Sequence, residues 1–72
     1  MVREYRRLKA KHTGINFLIE EDKPEVGAYL YVFKGSTVYD YLQDSIQICQ
    51  RQALEDFGVP LGSWKFIKSV YV

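Results

Sequence analysis

Cysteine is all but missing from this 72-residue chain: Cys49 stands alone, so no disulfide can form within it. Small secreted domains lean on several disulfides or a metal. A chain without them is expected to fold on its apolar core in a reducing compartment, and the expected setting is cytoplasmic. Histidine is as scarce. One Cys and one His, Cys49 and His12, cannot make a structural zinc site. Charge of one sign is lacking too: the net charge is +1, which argues against a strong attraction of the whole chain to nucleic acid. No long hydrophobic run is present. The longest, Val26 to Phe33 with Gly27 inside it, falls far short of the ~20 residues a bilayer-spanning helix needs. The basic start MVREYRRLKAK leads into no apolar stretch, so no secretory signal is read and no membrane partner is expected.

What the chain does have is apolar and aromatic mass. Hydrophobic residues make up 47% and aromatics 15%, a composition that excludes a disordered chain and fits one small domain over residues 1–72. Six tyrosines are more than one small core can hide, so some belong at the surface or in an interface, where an amphipathic ring is at home. Charges cluster locally: Arg3, Arg6, Arg7, Lys9 and Lys11 stand near the start against Glu4. Glu20, Glu21, Asp22 and Glu25 follow against Lys23. Both clusters read as solvated ends.

Alternation and turn residues divide the chain. Val2 to Leu8 reads as a strand whose charge density puts it at an edge or at a frayed terminus, and Lys11-His12-Thr13-Gly14 as a turn. Ile15 to Ile19 is β-rich, and the polar stretch Glu20 to Glu25, with Pro24, connects it to a strand over Val26 to Lys34. That strand has two apolar faces, aliphatic at Val26, Ala28, Leu30 and Val32 and aromatic at Tyr29, Tyr31 and Phe33. Gly35-Ser36 breaks it. A helix follows, with a start at either Thr37, whose Asp40 imitates a capping box, or Asp44-Ser45. Leu42, Ile46, Cys49, Ala53 and Phe57 form its apolar stripe, and Gly58-Val59-Pro60 ends it. After a loop, Trp64 to Val72 reads as the last strand. The expected fold is α+β: an antiparallel sheet of three or four strands, order β-β-β-α-β, with one helix on the aliphatic face.

No catalytic machinery is visible, and no cofactor is expected. Cys49 sits mid-stripe, where a thiol is buried and inert, and His12 lies in a turn signal. The acids at 20–25 lack the spacing of a calcium loop. The chemistry that remains is recognition. The aromatic face has no second layer available, so Tyr29, Tyr31 and Phe33 are the candidate anchors of a contact, with Tyr5, Arg3 and Arg7 at its rim. Its expected occupant is a protein partner or a second copy of the chain. Single-stranded nucleic acid, stacked on the same aromatics beside the basic residues, ranks below these. A role as accessory subunit of an enzyme assembly is the other alternative.

One segment also carries a resemblance. Asp40-Tyr41-Leu42-Gln43-Asp44-Ser45-Ile46, then Ala53-Leu54-Glu55-Asp56-Phe57-Gly58-Val59-Pro60, then Ser63-Trp64, with the Tyr29-Leu30-Tyr31 strand before them, is similar to short bacterial proteins of unknown function. Some of those resemble immunity proteins, which neutralise a toxin by direct binding. The resemblance implies a non-enzymatic cytoplasmic binder.

Overall fold

Local turn chemistry builds most of the sheet. The computed structural model describes residues 3–71. Strand β1 (Glu4–His12) turns into β2 (Ile15–Glu21) through Thr13 and Gly14, both at positive φ, 50° and 78°. Two such residues make the type I′ turn whose twist matches paired strands. A second two-residue loop, Gly35-Ser36 with Gly35 at φ 61°, joins β3 (Ala28–Lys34) to β4 (Thr37–Gln43). The longer connection between β2 and β3 is shifted from the expected 20–25: Glu20 and Glu21 belong to β2, Asp22 and Glu25 lie in the loop with Val26, and it ends at Gly27. Gly27 has φ 113°, and a Cβ there would collide with the Gln43 carbonyl oxygen, so only glycine fits.

Helix α1 (Ile46–Phe57) follows β4 and returns the chain across the sheet to β5 (Lys65–Tyr71), which pairs with β1. A short 3-10 turn, Leu61–Ser63, lies between α1 and β5. The strand order is β4-β3-β2-β1-β5, antiparallel at every pairing. Ser45 caps the helix, its hydroxyl accepting from the Ile48 amide at 3.2 Å. At the other end Gly58 adopts the left-handed conformation and donates to the Leu54 carbonyl, while Val59 reaches back to Ala53.

The fold is α+β with one helix on an antiparallel sheet, as the sequence suggests, but the sheet has five strands. The extra strand is β4. Thr37 opens it and caps no helix, so Leu42 leaves the helix stripe and lies on a strand, 54% exposed. Thr37, Val38, Tyr39 and Tyr41 are β-formers, and pairing along the whole length of β3 decides the matter. Strand β1 likewise runs through Lys11 and His12, and only Thr13-Gly14 turn. The expected strand ends at Val2 and Val72 lie outside the described residues.

The core sits between helix and sheet. Phe17 and Ile19 of β2 and Ala28, Leu30 and Val32 of β3 pack under Ile46, Cys49, Ala53 and Val59. The contact side chains are small where the layers meet: the Cys49 thiol lies 3.6 Å from the Ala28 carbonyl oxygen. Burial pushes that thiol up to about 11. Trp64 and Phe57 close one end edge-on to Phe17. Each fully buried aliphatic or phenyl side chain contributes about 1.5–3 kcal/mol.

Candidate functional site

The helix covers one face of the sheet. On the other, strand alternation and register put side chains into rows that cross the strands. One row runs Lys65, Lys9, Leu18, Tyr31, Asp40, from β5 through β1, β2 and β3 to β4. Beside it runs Lys68, Arg7, Glu20, Tyr29, Leu42, and on the other side Lys11, Asn16, Phe33, Val38. The face therefore has two halves of different chemistry. Across β3 and β4 it is aromatic and aliphatic; across β1 and β5 it is basic.

In the apolar half, Tyr29, Tyr31 and Phe33 stand in file along β3. Their ring centroids are 6.1 and 6.4 Å apart and their planes within 25° and 26° of parallel. The three rings thus run nearly parallel along the strand. Phe33, Val38 and Leu42 are exposed, and Tyr29 and Tyr31 are half-buried. Partial burial, then the nearby Glu20, Tyr29, Asp40 and Asp22, hold the Tyr31 phenol above its ordinary pKa, so it is a neutral donor at neutral pH.

In the basic half, Lys9 stands directly across from Lys65 and Arg7 from Lys68. Opposed like charges destabilise a sheet. Arg7 is answered by Glu20, at 2.9 Å. Among the described residues, Lys9, Lys11, Lys65 and Lys68 have no carboxylate within ion-pair distance. A β-bulge opposite Arg7 and Leu8 inserts Ile67 as an extra residue in β5. Beside it opens a groove of about 620 Å³, lined chiefly by Lys9, Lys11, Asn16, Leu18, Lys65 and Ile67.

The residues singled out from sequence fall unevenly on this surface. Tyr29, Tyr31 and Phe33 are together at its centre. Tyr5 shares the face by alternation with Arg7, but lies at a corner opposite Val70, two strands from the aromatic file. Arg3 precedes β1 and is exposed there. Arg7 is committed to Glu20. The lysines at 9, 11, 65 and 68 were not singled out. Lys9 and Lys11 were available from the alternation of Arg7-Leu8-Lys9-Ala10-Lys11.

Little else offers chemistry. Among the described residues no group of three or more His, Cys, Asp or Glu is placed to hold a metal. No helix is long and apolar enough to cross a membrane. His12 lies on the covered side, near Gly58 at the helix exit, and Cys49 is fully buried. No family model matches the chain, and neither the curated proteins nor the solved structures gave a match.

Proposed function

We propose that this protein is a small non-enzymatic binding module of the cytoplasm, immunity-like in its manner of action, that grips a protein partner with the open face of its sheet. The observation that carries this reading is the uncovered file Tyr29-Tyr31-Phe33 with Val38 and Leu42 beside it, an apolar patch with a polar rim. Aromatic anchors at the middle of such a patch supply most of an interface's affinity. Charge separates a foreign partner from a second copy. Among the described residues the acids near this face are Glu20, Asp22 and Asp40, fewer than its basic residues, and Glu20 is taken by Arg7. A second copy meeting it face to face would leave the unpaired lysines without partners.

A second reading, single-stranded nucleic acid, has the basic half in its favour. The near-neutral net charge of +1 weighs against it, since binding of a phosphate backbone is chiefly electrostatic.

Partner capture with three forms of the protein tests the proposal. Wild type and Leu54→Ser, altered on the exposed side of the helix, should retain the same protein, and Tyr31→Ser should lose it. Serine is the better probe than aspartate, because Tyr31 lies across from Asp40 and a second carboxylate would strain the sheet. Equal retention by all three forms sinks the assignment of the face. A stable dimer by light scattering between about 10 μM and 1 mM would hand the face to a second copy.

A further inference from the structure

The groove beside the bulge says more about what the partner must look like. Its lining combines apolar residues, Leu18 and Ile67 among them, with Lys9, Lys11, Lys65 and Asn16. Lys9 and Lys65 oppose each other directly across β1 and β5, and among the described residues neither has a carboxylate within ion-pair distance. Opposed like charges cost stability, and a group of opposite sign brought to them would relieve that cost. The bulge acts in the same place: bulges re-aim side chains, and this one sets Ile67 into the groove.

We infer that this groove seats an acidic segment of the partner protein, one that alternates carboxylates with apolar side chains. Resting on the reading that the open face takes a protein, the inference adds the chemistry of the bound segment. Carboxylates meet Lys9, Lys11 and Lys65, and the apolar side chains lie on Leu18 and Ile67. From there the partner continues onto the aromatic file, since Leu18 is the direct neighbour of both Lys9 and Tyr31. Opposite charge across the rim speeds association and fixes the orientation.

Two short peptides test this, one alternating Glu and Leu and the other Gln and Leu, together with an oligothymidylate of similar length. With the whole protein, the Glu peptide should bind in the range up to about 1 mM and shift the amides of Lys9, Leu18, Lys65 and Ile67. The Gln peptide should bind at least about fivefold more weakly. The double variant Lys9→Gln/Lys65→Gln should lose the same preference while folding at least as stably as wild type, because the opposed charges are gone. Equal binding of the two peptides, no binding of either, or shifts confined to other residues overturns the inference. So does oligothymidylate bound more tightly than the Glu peptide, which would assign the groove to nucleic acid. None of these outcomes touches the Tyr31→Ser comparison, so the acidic segment can fail while the protein-binding face stands.

Discussion

Strand β3 has two apolar faces, one aliphatic and one bulkier and aromatic, with opposite fates. Ala28, Leu30 and Val32 are completely buried, while Tyr29 and Tyr31 are half-buried and Phe33 is 37% exposed. One helix can cover one face, and it takes the aliphatic one because small residues let it sit close: the Cys49 thiol of the helix lies against the Ala28 carbonyl of the sheet. A tyrosine file could not be approached that way, and its hydroxyls would need buried partners. The side left open is thus the side whose residues tolerate water and still present apolar area. The difference teaches that a single strand can give its even positions to packing and leave its odd positions free for the contact proposed above.

The division predicts unequal costs. Leu30→Ala opens a cavity under the helix and should destabilise the protein by about 2–5 kcal/mol, read from a denaturant melt followed by the fluorescence of Trp64. Tyr31→Ser, one position away, should cost no more than about 1 kcal/mol while abolishing partner capture. A cost as large as that of Leu30→Ala would make Tyr31 a core residue and collapse the comparison.

Cys49 reports on the covered face without mutation. Its thiol is held neutral well past its ordinary pKa of 9.0, up to about 11, by burial alone. Alkylation at pH 8 should therefore proceed only at the rate at which the helix lifts or the domain unfolds. The sign for stability follows: the folded state keeps the proton longer, so the contribution is complete below pH 9.0 and disappears as pH rises toward 11. Rapid alkylation under native conditions would show the covered face to be open.

The smallest effect expected is a gain. Lys65→Glu places an acid across from Lys9 and should stabilise the sheet by about 0.2–1 kcal/mol, as exposed cross-strand pairs do. The same change should weaken capture of an acidic segment. Stability and binding moving in opposite directions would sharpen the division, whereas a loss of stability would mean Lys65 is held by something other than solvent.

How much of this could be read from the chain depends on how local the cause is. The helix exit is local chemistry, and Gly58, Val59 and Pro60 announce it. So do the two faces of β3, which follow from alternation alone. Strand β4 was harder, because Val38, Tyr39, Tyr41 and Leu42 put apolar residues on both parities and so show no period. Thr37 with Asp40 also imitates a helix cap. Only its pairing with β3, a tertiary fact, overrides that imitation. The aromatic half of the candidate face was legible for the same reason as β3. Its basic half was not: the polar run Lys11-His12-Thr13-Gly14 resembles a four-residue turn although β1 continues to His12, and the bulge at Ile67 breaks alternation in the last strand. Nor does any spacing in the chain reveal that the first and last strands are neighbours.

That neighbourhood has a mechanical consequence. Glu4 pairs with Tyr71, and the Ser69 hydroxyl and Tyr71 phenol both reach the Glu4 carboxylate. The two ends of the described chain therefore leave from one corner of the molecule. Tension applied between them would load the β1–β5 ladder at its last rung and open it one hydrogen bond at a time, as a zip opens, with the helix and the other three strands undisturbed at first. A protein held by both ends would yield there at low force, and the loss would fall on the basic half of the face before the aromatic half felt any strain.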